Sequence, residues 1–229
     1  MPPAWLSILS WVMLALAFAS VAWIAADQWL RGHRQQMRIM EAVWPITALY
    51  WGPVAIFGYR RFGLPKSPAW RREHGYDEPP RRASWSVVAA GVSHCGAGCT
   101  LGDLAAEWIV FAVGATIIGL SLLAEYIGDY VLALTFGIAF QYFAIAPMRG
   151  LGPKEGLIEA AKADFLSLTS FEVGLFGWMA LTQFVFFPNH LHPDHAAFWF
   201  LMQIGMIVGY FTAWPTNVWL IRKGIKEAM

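Results

Sequence analysis

Cys95 and Cys99 are the only two cysteines in the 229-residue chain, and they lie in the stretch Ser93-His94-Cys95-Gly96-Ala97-Gly98-Cys99-Thr100-Leu101-Gly102-Asp103, with Glu107 following. Cys95, Cys99, Asp103 and Glu107 recur at every fourth residue. On a helix that spacing sets two thiols and two carboxylates along one slowly drifting face. Thiolates with an adjacent imidazole, His94, suit Cu(I) or zinc better than hard cations. A spacing of three would more often open a redox helix, whereas a spacing of four lets both sulfurs face one way. In an apolar setting such thiols are expected either to hold a metal or to be fully protonated. The plainer alternative is a glycine-rich helix crossing whose polar atoms are satisfied by neighbouring helices.

Three further groups could join this chemistry. Asp103, Glu107 and Glu172 fall in apolar stretches that contain no Lys or Arg to pair with them. A lone ionised carboxylate there is expensive, so protonation, hydrogen bonding or a bound cation is expected, which favours cation or proton traffic over anion traffic. His190, His192 and His195, with Asp194, could form a site for a borderline metal in a turn stiffened by Pro188 and Pro193. An exposed turn with histidines is as often only a solvated turn. Met202 and Met206 stand four apart on the last apolar segment; thioethers are neutral soft ligands, though methionine at helical spacing is also ordinary core filler. In order, the histidines, the methionines and the His94/Cys95/Cys99 cluster would descend from one surface towards the middle.

The elements that must position these residues are those of a membrane protein. The chain is 58% hydrophobic and only 14% charged, with thirteen Trp, sixteen Phe and seven Tyr. A soluble domain carries roughly 25% charged residues, and two belts of interfacial aromatics explain the ring count. The expected fold is all-α, a polytopic helical bundle of about six transmembrane segments. Residues 4–26 carry no charge and are long enough to cross a bilayer core of about 30 Å. They lack the basic start and shorter apolar run of a signal peptide, so they are expected to form the first span. Residues 42–59 would be the second, bent by Pro45 and Pro53. Before it, His33, Met37 and Met40 share one face of a short helix expected to dip its methionines into lipid.

Residues 85–124 are too long for one ordinary span and offer no loop for two. They are either re-entrant and broken at Gly96–Gly98 or one long, kinked helix. Residues 125–129 read as a tight polar turn, 130–148 as the fourth segment, 156–164 as a short interfacial helix, 165–187 as the fifth segment and 196–221 as the last. The chain thus divides into two amino-terminal helices (1–59), a basic loop (60–84) and a four-segment domain carrying the cysteines (85–229).

With six spans, thirteen of the sixteen Lys/Arg fall on the side of both termini and only Arg31, Arg34 and Arg38 on the other. The positive-inside rule then puts both termini in the cytoplasm. The expected partners are the lipid bilayer and other membrane subunits or further copies of the chain; a net charge of +1 gives no reason to expect nucleic acid. Nucleophile elbow, phosphate loop, HExxH and dinucleotide motifs are absent.

Residues 93–103 (SHCGAGCTLGD), 146–150 (APMRG), 162–179 (KADFLSLTSFEVGLFGWM) and 214–229 (WPTNVWLIRKGIKEAM) resemble a group of bacterial integral membrane proteins known only as a domain of unknown function. The resemblance runs from Trp85 to the carboxyl terminus. It implies a bacterial inner-membrane protein with a shared four-segment domain, and it brings a loose association with copper-handling gene sets. The expected function is binding or transport of a soft cation, Cu(I) favoured and Zn(II) as the alternative metal. His94, Cys95 and Cys99 would bind it, and Asp103, Glu107 and Glu172 would balance charge or relay protons. A membrane oxidoreductase or metalloenzyme using the two cysteines, or an accessory subunit of a larger complex, remain the rival classes.

Overall fold

The computed structural model describes residues 2–78, 84–187 and 191–226. The chain is a helical membrane bundle. α1 is Ala4–Trp29, α2 Met40–Trp51, α3 Pro53–Gly58, α4 Pro68–Glu73, α5 Ser84–Val113, α6 Ser121–Arg149, α7 Pro153–Leu181 and α8 Ala196–Arg222. Among the described residues the only extended pairing is an isolated bridge between Ile117 and Leu120. Five helices are long and apolar enough to cross a membrane: α1, α5, α6, α7 with its continuation to Phe186, and α8.

α5 runs unbroken through Gly91, Gly96, Gly98 and Gly102. The re-entrant arrangement considered for this segment is therefore not the one adopted. Thirty helical residues reach about 45 Å, enough to cross a tilted path and protrude. Its glycines serve packing rather than bending. A Cβ on Gly98 would lie 2.7 Å from the Cα of Gly137 in α6, and one on Gly102 would collide with the backbone of Ala133. In lipid, helices gain mainly from such close backbone approach, which only small residues allow.

The break occurs elsewhere. α2 ends at Gly52, whose φ of 53° is a left-handed conformation that favours glycine. Pro53 then starts α3. Pro53 has no N–H to give the carbonyl of Leu49, and the side-chain amide of Gln203 in α8 donates to that oxygen at 2.6 Å. At its near end this unit lies against the start of α5: Met37 and Ile39 pack on Ala90 and Ala144. At its far end it returns to the same level, where Tyr59 donates to Asp27 at 2.7 Å and Phe62 meets the ring of Trp85. The indole of Trp44 sits edge-on to Tyr59, locking the two arms together.

Residues 40–63 thus form a re-entrant hairpin, not the second span expected from 42–59. Twelve residues in α2 reach about 18 Å, half a bilayer. The expected interfacial helix before it is also absent: Met40 is buried, Met37 packs on the bundle, and His33 lies 3.1 Å from Asp27 and 3.3 Å from Glu73.

Two segment boundaries move for one physical reason. The turn expected at 125–129 lies at 114–120, where Gly114, Ile118 and Gly119 take positive φ and Ile118 is 91% exposed. Those loop residues are apolar and read as part of a span, whereas Glu125 and Asp129 lie inside α6 and are buried. Likewise 156–164 is not a separate surface helix. It is the first part of α7, and Asp164 is fully buried.

Because the hairpin does not cross, the first residues of α1 and the last of α8 lie at opposite ends of the bundle. Every Lys and Arg among the described residues clusters at one end, in the stretches 31–38, 60–72, 149–162 and 222–226. We call this the basic end.

Candidate functional site

The stripe read from the sequence is present and faces inward. Cys95, Cys99, Asp103 and Glu107 are all buried along α5, a rise of about 18 Å from first to last. α7 presents Asp164 and Glu172, eight residues and thus two turns apart, to the same region. α6 presents Glu125 and Asp129 one turn apart, directly above Ala133 and Gly137, the small residues that let α5 approach. One stretch of α6 facing α5 is therefore made of small residues at Ala133 and Gly137 and carries acids at Glu125 and Asp129.

These side chains form a continuous file that branches in its acidic half, where Asp129 feels Asp103 and Glu172 as well as Glu107. Asp164 lies beside the Cys95 thiol. Cys95 lies against Cys99, and Cys99 against Glu172. Glu172 faces Asp103, which faces Glu107. Glu107 neighbours Asp129 and Glu125 towards the end opposite the basic one. Both cysteines are free thiols. Both carboxyl oxygens of Asp103, Asp164 and Glu172 lack a hydrogen-bond partner among the described residues. Buried polar atoms in that condition are rare and unfavourable, and a run of them is stabilised by protons or by a cation.

His94 does not join the thiols. Successive helical residues point about 100° apart, and the His94 ring lies edge-on to Phe140 of α6, with centroids 6.0 Å apart. Among the described residues no three His, Cys, Asp or Glu side chains converge to enclose a metal ion. The cysteine pair and its flanking carboxylates are brought together; the set His94/Cys95/Cys99 is not.

A cavity of about 400 Å³ opens beside the file, between α1, α5 and α8 in the half of the bundle away from the basic end. His195, Met202, Gln203, Met206 and Thr100 line it, among largely aromatic and aliphatic neighbours. The Thr100 hydroxyl, next in sequence to Cys99, lies 3.7 Å from the Met206 sulfur. His195, Met202 and Met206 thus line one cavity, and neither His94 nor either cysteine is among its lining residues. His192 lies outside that lining, with its ring 5.8 Å from Phe111, and His190 is outside the described residues.

Several residues of the site escape sequence reading. Asp129, Glu125 and Asp164 resemble turn charges because each stands near the edge of an apolar window. Tyr50, at the tip of the hairpin, is buried beside Cys95 and Cys99, and its oxygen would lie 2.8 Å from a Cβ on Gly96. Asn217 donates to Ser167 at 2.8 Å at the basic end of the file. The one available signal was spacing: Asp164, Leu168 and Glu172 repeat the four-residue rhythm of α5.

Residues 84–226 match the family described as a domain of unknown function (DUF4396). The chain belongs to this family. The matched region comprises α5 to α8 and so contains every thiol and carboxylate of the file, while the first span and the hairpin lie outside it. No curated protein and no solved structure matches the chain.

Proposed function

We propose that this protein binds a soft monovalent cation, Cu(I) foremost, between Cys95 and Cys99 and passes it along the file of buried carboxylates. The observation that carries the reading is the position of the thiol pair, neighbouring each other with a carboxyl group beside each, Asp164 at one and Glu172 at the other. Soft thiolates select Cu(I), whereas structural zinc takes four ligands in a tetrahedron. Two adjacent thiols supply the first more readily than the second. A cation entering through the cavity would meet His195 and then the thioethers of Met202 and Met206, neutral groups that suit an apolar passage. The carboxylates would give up protons as the cation replaces them.

Proteoliposomes test this directly. The purified protein is expected to take up Ag(I), a redox-inert stand-in for Cu(I), and Glu172→Gln is expected to slow uptake by roughly tenfold or more, because it removes a charge partner beside the bound cation. Equal uptake by Glu172→Gln and wild type would refute the path. A second reading, conduction of protons alone, is favoured by the continuation of the acids past the thiols to Glu125. It predicts proton flux that survives replacement of both cysteines.

The same proposal places the protein in a bacterial inner membrane with the basic end in the cytoplasm, since lysine and arginine are retained on that side. The amino terminus is then outside and the carboxyl terminus inside. Protease added to intact spheroplasts should remove an epitope tag from the amino terminus and spare one at the carboxyl terminus. Protection of both tags would restore the six-span arrangement.

A further inference from the structure

At the basic end of the file the segment after α8 folds back onto the bundle. After α8, Gly224 takes a φ of 67° and turns the chain back, and the backbone N–H groups of Ile225 and Lys226 donate to the carbonyl of Leu220 at 3.0 and 3.3 Å. Lys226 is only 2% exposed, unusual for a lysine four residues beyond a helix end. Its stem passes over Gly91, where a Cβ would lie 4.0 Å from Lys226 Cε. Its ammonium donates to the Ser167 hydroxyl oxygen at 3.1 Å, an oxygen also held by Asn217. The titratable groups that feel its charge are Asp164 of α7 and His94 of α5. Asp164 in turn lies beside Cys95. A positive charge that the apolar segments lack is thus delivered to the file from the tail.

We propose that Lys226 is a tethered cation that occupies the basic end of the acid–thiol file and shuts access to Cys95 until the tail swings away. The proposal rests on reading the file as a cation path, and it identifies the class of ligand the end position takes: a monovalent cation, for which the ammonium group substitutes. Buried lysine is strongly hydrated when free, so an outward swing exchanges its contacts for water. An outward swing about Lys223 and Gly224 gives up the two bonds from Ile225 and Lys226 to the Leu220 carbonyl and leaves the rest of α8 in place.

The test measures access rather than transport. Full-length protein in phosphatidylcholine/phosphatidylglycerol liposomes is exposed to N-ethylmaleimide, and alkylation of Cys95 is followed by mass spectrometry. Lys226→Met and a chain truncated after Lys223 are expected to accelerate alkylation by about tenfold or more, while Lys226→Arg stays within about twofold of wild type, since the rate follows the population of the open state. No acceleration in either of the first two variants overturns the proposal. So does an acceleration that accompanies loss of the cooperative thermal transition, which would report unfolding. Because alkylation needs no metal, failure of Ag(I) uptake leaves this result standing, and failure here leaves the cation path standing.

Discussion

Cys95→Ser/Cys99→Ser is expected to lower affinity for Cu(I) and Ag(I) by at least about 100-fold, more than the loss of an outer-shell partner costs a metal site. Sulfur is the soft donor that selects these ions, and a hydroxyl replaces it with a hard, protonated oxygen. The protein should nevertheless fold. Both sites are fully buried and nearly isosteric with serine, and each new hydroxyl finds a carboxyl acceptor already in place, Asp164 beside residue 95 and Glu172 beside residue 99. Buried hydroxyls are tolerated when hydrogen-bonded. Each single substitution should remove most of the affinity, because two ligands that act as a unit are not additive. Competition against a chromophoric Cu(I) chelator, with the thermal midpoint as a folding control, measures both. Unchanged affinity in the double variant would end the dithiol proposal and leave the proton path as the surviving account.

Gly102→Ala is expected to destabilise the bundle by about 3 kcal/mol, the upper end of what overpacking usually costs. The added methyl would enter the backbone of Ala133 on α6, touching its nitrogen and Cα and the carbonyl carbon of Leu132. Backbone atoms have no rotamer to retreat into, so α5 and α6 must separate or slide. Gly98 faces Gly137 in the same crossing, so relief at one point transfers strain to the other. Gly91→Ala is the matched control on the same helix. Its Cβ would meet only side-chain atoms of Ile221, Asn217 and Lys226, none closer than 3.7 Å. Unfolding in detergent micelles should show a large loss at residue 102 and little at residue 91. Similar midpoints for the two would show that the crossing is looser than the packing described. Separation of α5 from α6 should also part Glu107 from Asp129, so Gly102→Ala is expected to impair uptake as well as stability.

The helix boundaries differ from those expected along the chain for one reason. A charge near the edge of an apolar window has two homes, the aqueous turn or the protein interior, and local sequence weighs only the first. Local sequence puts Asp129 in a turn and Asp164 at the end of an interfacial helix, because the apolar segments beside them offer no partner. Their neighbours lie on other elements: Glu107 of α5 beside Asp129, and Cys95 of α5 beside Asp164, which also feels the charge of Lys226. Conversely, residues 114–120 are apolar enough to pass for a span, yet three positive φ angles make them the turn.

Glycine is ambiguous for the same reason. By spacing alone Gly96 and Gly98 are candidate helix breaks, and Gly52 is not marked out. A glycine in an otherwise favourable helix weakens it by only about 1 kcal/mol, which a close neighbouring helix can more than offset. α6 supplies that neighbour at Gly98 and Gly102. At Gly52 nothing stands within 4 Å of the missing side chain, and Pro53 removes the donor that would continue the helix.

Composition and spacing by themselves determined that this is a helical membrane protein, and that Cys95, Cys99, Asp103 and Glu107 share one helical face. Both follow from physics that acts along the chain: apolar length against bilayer thickness, and 3.6 residues per turn. Only the tertiary structure decided which segment turns back at mid-depth, which way His94 points, and which acids and which lysine complete the file. Those outcomes depend on contacts between residues far apart in sequence, where burial and a partner on another helix set the stability of each charge.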